Sequence, residues 1–422
     1  MKTRPNWPSV GATFAFFAAA VAFTGVGLVA FGESWRAVGG FEPAHSAFLA
    51  GVHALLLGGL LSVYLGAAHQ LYPVISERRA AAGGLLAWTH AVLHLSGTAM
   101  MVVAFWGTQH RLLVLGGSLV ALGLLVFGGV ALWALERRRA WTPESLGLYA
   151  GLWWLLLALG LGLWMASFRA GWVGLPVALA ELRGLHLRAA FAGFFLQVLL
   201  GLSHRLVPMF IVSRQTGRRA ALFALLLLNA GLACDALGLL AELPGWVQLG
   251  DALLACSILP HGIATALQIR SRLRPLGGSF WSYALGTFGL GLVALAWLLR
   301  GLGMGLPFSD WVLLAALLPL ALVPIAFAVS ARVVPFLAWQ VACAPLLGRQ
   351  KLPTVQQLWS ERLLWGEFGC VVLAALAWTT FLIEPSPASC LVALTATVAL
   401  FAIRLINCGQ LWHRIRPFLS RP

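Results

Sequence analysis

Ten histidines stand in a chain of 422 residues of which 60% are hydrophobic and only 10% charged. A neutral imidazole in such surroundings either ligates a metal or heme iron or needs a hydrogen-bond partner. His53 lies about 10 Å deeper than His45 along one apolar run, on the rise of an α-helix. His186 enters a later run from the same side, and His90 and His94, four apart, share one helix face with His94 near mid-depth. That placement makes His53, His186, His94 and His45 candidate cofactor ligands in the outer half of a bundle, with His53 and His186 the candidate metal ligands. For each, satisfaction by hydroxyls and carbonyls of neighbouring helices is the competing reading. His69 and His204 sit beside prolines at the other end, where a capping or interfacial role is expected. His261 follows Pro260 and suits a helix kink or a pore, while His110 and His413 fall in a loop and the tail. Charges inside a membrane are costly and therefore informative. Arg188 and Asp235 are expected to pair with each other, or Arg188 to clasp a heme propionate, since guanidinium matches a carboxylate bidentately. Glu367 and Arg404 lie near span ends, where snorkelling is expected.

The elements that position these residues are transmembrane helices. An ordinary soluble domain carries about 25% charged residues, and at roughly 20 apolar residues per span this length holds about twelve helices. Spans are expected at 11–31, 46–70, 83–106, 112–135, 147–168, 184–211, 219–241, 247–268, 279–299, 311–334, 363–383 and 388–409. The first follows Lys2 and Arg4 without a cleavable signal pattern. Basic clusters follow every even span: Arg78 and Arg79; Arg137 to Arg139; Arg214, Arg218 and Arg219; Arg270, Arg272 and Arg274; Arg349, Lys351 and Arg362; Arg414, Arg416 and Arg421. About 22 of the 28 basic residues thus fall on one side, which the positive-inside rule makes cytoplasmic along with both termini. The net charge of +15 is therefore a topology signal, with lipid headgroups and not nucleic acid as its counterpart. Tryptophans near span ends, such as Trp35, Trp106, Trp141 and Trp172, read as an aromatic belt. The six cysteines form no CxxC pair, and no phosphate loop, covalent-heme motif, zinc signature or catalytic triad is present.

The spans repeat. The second reads His53-ALLL-Gly58-GLLSVYL-Gly66-AAHQLY-Pro73 and the sixth Arg188-AAFA-Gly193-FFLQVLL-Gly201-LSHRLV-Pro208, in register at an offset of 135. The tenth ends ARVVPFL, with Pro335 in register as a weaker third copy. The fourth and eighth spans echo each other at 134, LGGSLVALGLLVFGG beside LGDALLACSILPHGI. The fold class expected is all-α: one transmembrane domain over 1–422, twelve spans in three pseudo-repeated four-helix arcs near 8–140, 143–275 and 276–416. The glycines are expected to allow close backbone approach, and the prolines to end or kink the helices at the basic face.

Twelve spans in three four-helix arcs, with the His-x4-Gly-x7-Gly-x6-Pro string, resemble the catalytic subunit of heme–copper oxygen and nitric-oxide reductases and its smaller NnrS-type relatives. The resemblance implies a heme-ligating histidine at His53 and copper ligation in the sixth span, where His186 lies two residues before the motif position held by Arg188. It also implies an inner-membrane location, b-type heme or copper as cofactor, nitric-oxide response, and respiratory-complex subunits as partners. The tenth span holds no histidine pair and the seventh, 220–240, no histidine, so the usual binuclear centre cannot be built and oxygen or nitric-oxide reduction by that route is not expected. A transporter or channel and a cofactor-free structural subunit remain alternatives; against the transporter, its repeats are usually two-fold and often inverted.

Overall fold

A computed structural model describes residues 10–38, 42, 44–76, 84–137, 140–214, 217–306 and 310–419. Among them twelve helices are long and apolar enough to cross a bilayer: Val10–Ala37, Ser46–Pro73, Gly84–Trp106, His110–Glu136, Pro143–Arg169, Leu179–Ile211, Arg218–Leu240, Pro244–Arg270, Gly278–Gly301, Val312–Ala342, Glu361–Ile383 and Pro387–Leu419. No strand occurs among the described residues. The protein is an all-α polytopic membrane bundle. Hydrocarbon offers no partner for a backbone N–H or C=O, so each apolar run must satisfy its own backbone as a helix. Lys2, Arg4, Arg78, Arg79, Arg138, Arg139 and Arg421, used to orient the chain, lie outside the described residues.

The helices begin and end within a few residues of the expected spans at most ends; the first, tenth and twelfth run on further. The prolines do not end them. Pro73, Pro208 and Pro335 all lie inside helix, which continues to Ile75, Ile211 and Ala342 respectively. A proline removes one backbone donor and crowds the preceding turn, and neighbouring helices in a bundle can absorb that local adjustment.

Two compact units share the chain. One holds spans one to eight and the ninth from Val293; the other holds the ninth up to Leu292, the tenth from Ala315, and spans eleven and twelve. Within the first unit the third and fourth spans pack along each other, as do the seventh and eighth. Glycine sets their separation: a Cβ on Gly97 would lie 2.7 Å from Gly116 O, and one on Gly231 would lie 2.9 Å from Gly250 O. Gly97 and Gly231 are 134 apart, as are Gly116 and Gly250, so the same contact recurs at the offset seen in the fourth and eighth spans. Within the second unit Arg404 of the twelfth span pairs with Glu367 of the eleventh at 2.7 and 2.8 Å, and also donates to Ser330 Oγ and Phe327 O. That residue was expected to snorkel. It turns inward instead, because Glu367, Ser330, the Phe327 carbonyl and the Phe327 ring lie within reach.

Three spans change helix type midway. The second is α-helical to His53, π-helical over Ala54–Leu61, then α-helical again from Ser62. The sixth repeats this at Ala189–Leu196, directly after Arg188, and the tenth has a shorter π segment at Leu318–Leu322. The first two π segments are separated by the same 135 residues as the sequence motif. A π-turn widens the helix and displaces carbonyls from their α-helical partners, which is why such turns mark functional sites.

Candidate cofactor site and buried polar clusters

His53 and His186 each lie seven residues into their span from the end opposite the basic face, about 10 Å along the axis. His53 Nδ1 is 2.8 Å from Leu49 O and its ring stacks on Phe105 at 4.6 Å between centroids. His186 Nδ1 is 2.8 Å from Ala158 O of the fifth span, and Gly162 one turn on leaves room for the ring. A carbonyl only accepts, so in both neutral rings Nδ1 carries the proton. Nε2 is then a lone pair held in a fixed orientation. Arg169 ends the fifth span and Arg183 stands near the start of the sixth, at the same end of the bundle as His53 and His186.

Arg188 meets Asp235, with Nη1 2.9 Å from Oδ1. The sequence left open a pair or a propionate clasp, and the structure has the pair. Two residues join it that sequence reasoning did not single out. Asp251 of the eighth span lies 3.9 Å from Arg188 Nη2, and Arg300 grips Asp251 bidentately at 2.6 Å from both Nε and Nη2. The result is a neutral quartet from spans six, seven, eight and nine, in which Arg188, Asp235 and Asp251 are buried. Asp251 was visible within the LGDALLACSILPHGI string, whereas Arg300 falls just past the expected end of the ninth span, 279–299.

His94 does not join His53 and His186; it belongs to a second cluster nearer the basic face. His69 Nε2 lies 3.0 Å from His90 Nδ1, and the His90 and His94 rings meet edge to face at 6.0 Å. Phe16 packs against all three rings, and Phe127 stacks on His90 at 4.8 Å and 8°. His90 and His94 are completely buried. His69, expected to cap or face the interface, is nearly buried and turned inward, because the third span brings the His90 ring opposite it. The missed signal was the His69–His90 relation across two helices, which no single-helix period reveals. His45 precedes the second span as its N-cap residue, without a side-chain capping bond. His261 is buried in the eighth span, and His204, the repeat counterpart of His69, is buried in the sixth.

Among the described residues no three or more His, Cys, Asp or Glu side chains are grouped to hold a metal ion by themselves. In comparisons with known proteins, no family model and no curated protein matches this chain.

Proposed function

We propose that this membrane protein carries a b-type heme between its second and sixth spans, with His53 and His186 as the imidazole ligands and the basic face in the cytosol of a cell with an inner membrane. The observation that carries this reading is the matched fixation of the two rings. Each donates Nδ1–H to a backbone carbonyl and so presents Nε2, the arrangement by which ligating histidines are oriented and made more basic. Heme is favoured over a lone copper ion by the donor count. A porphyrin brings four nitrogens of its own and needs one or two protein ligands, whereas a bare ion needs a larger set than these residues supply. Arg169 and Arg183 add positive charge at the same end, where propionates would be directed. Bound there, the iron would supply one-electron transfer or binding of a small gas, with burial and axial ligation setting its potential. Roles in nitric-oxide response or beside a respiratory complex belong to the resemblance and form part of the same proposal.

The test is a reduced-minus-oxidised visible spectrum of the purified protein with iron and copper quantified. A Soret band that is lost or shifted in His53→Ala and in His186→Ala supports the reading. Copper without heme would move the proposal to a copper site, and well-folded protein with neither would leave a cofactor-free subunit or a transporter.

A further inference from the structure

The fourth and eighth spans hold corresponding places in the repeat, yet their inward faces differ in chemistry. The eighth turns Ser257, His261, Thr265 and Gln268 inward, at steps of four, four and three residues, and all four are buried. Leu259, Ile263 and Leu267 on its other face are exposed. The span is thus polar inside and apolar outside. Packing alone does not demand this, because the positions 134 residues earlier in the fourth span are Gly123, Phe127, Ala131 and Ala134. There the same helix pairing closes without a polar side chain.

The sixth and seventh spans differ from the second and third to match. In the first repeat His69 and Ser62 find His90 and His94 opposite them, at 3.0 and 3.4 Å. Their counterparts are His204 and Gln197, and the positions of the two histidines are taken by Ala224 and Leu228. Neither side chain can hydrogen-bond. His204 Nδ1 and both polar atoms of the Gln197 amide are buried without a hydrogen-bond partner, as is Gln268 Nε2. The Phe127 ring lies 4.6 Å from His69, and His261 and His204 hold the corresponding positions. The polar face of the eighth span and the unmatched atoms of the sixth therefore belong to one interior. Such atoms are costly when dry, and water satisfies several of them together.

We propose that these residues line a hydrated inlet running from the basic face to the middle of the membrane. Counted along the eighth span, Gln268 lies about 3 Å and Ser257 about 20 Å from the helix end at that face. Gln197 lies about 21 Å from the end of the sixth span by the same count. Beyond Ser257 the inward face carries the buried, apolar Leu254 before Asp251, so the inlet stops short of the ion quartet. What it takes is water, and protons with it; polar side chains turned to a bundle interior line such paths through membranes. The inlet uses no residue of the heme reading and stands apart from it.

Thiol reactivity tests it, because a thiol reacts as the thiolate, which forms in water and not in an apolar interior. In full-length protein lacking the six native cysteines, His261→Cys and Thr265→Cys are compared in proteoliposomes with their fourth-span counterparts, Phe127→Cys and Ala131→Cys. Silver ion added at the basic face should modify the eighth-span variants at least an order of magnitude faster, with Leu259→Cys as slow as the fourth-span pair. Equal rates within each pair, or reaction from the opposite face alone, overturn the inlet. Should a variant fail to fold, radiolytic hydroxyl labelling of the unmodified protein decides, since the radicals arise from water beside the side chain. Labelled His261 with unlabelled Phe127 supports the inlet, and unlabelled His261 overturns it.

Discussion

A buried ion pair is costly to break and much less costly to replace, and the Arg188–Asp235 contact tests this inside a membrane bundle. Asp235→Ala removes the carboxylate 2.9 Å from the buried Arg188 guanidinium, while Asp251, 3.9 Å away, is gripped by Arg300. The single variant should lose about 3 kcal/mol of stability, and Arg188→Met with Asp235→Leu should recover most of it. Thermal or denaturant unfolding in detergent measures both; equal losses in the single and double variants would refute the pairing argument. At this scale the sequence was legible where a residue's chemistry narrowed its choices. Arg188 and Asp235 were candidates for each other because few groups tolerate that environment. Asp251 and Arg300 escaped because a long arginine side chain can reach inward from a span end. The His69–His90 contact escaped because helical period orders residues on one helix and leaves unstated which faces of two helices meet.

Helix separation is controlled by a few glycines whose positions recur. Gly231→Leu would drive a side chain into Gly250 O and Leu254 N, so overpacking should cost about 1–3 kcal/mol and loosen the seventh–eighth pair. Gly129→Ala, at a position with open space, should be neutral in the same unfolding measurement. The Gly97 contact recurs at Gly231, 134 residues on, and the π segment of span two recurs in span six, 135 residues on. The spans themselves were legible because an apolar run of sufficient length has few alternatives in lipid. The π segments were not. Their residues, ALLLGGLL and AAFAGFFL, carry no pattern that separates a π-turn from an ordinary apolar helix. The motif prolines, expected to end or kink the helices, do not end them, since a helix end depends on what surrounds the proline as much as on the proline.

For the whole molecule, orientation is the most direct expectation to check. In a background lacking the six native cysteines, Arg272→Cys should react with an impermeant thiol reagent only from the cytosolic side, and Trp172→Cys only from the opposite side. Labelling of both from one side would contradict twelve alternating spans, and a consistent reversal would overturn the positive-inside assignment. The neutral quartet has a further consequence for how the chain is made. Its charges leave the ribosome in the order plus, minus, minus, plus: Arg188, Asp235, Asp251, Arg300. A nascent chain halted after the sixth span holds one uncompensated cation, after the seventh none, after the eighth one anion, and after the ninth none again. Stalled intermediates of seven or nine spans should therefore settle into the bilayer, while those of six or eight should stay at the insertion machinery awaiting a counter-ion that has not yet been synthesised.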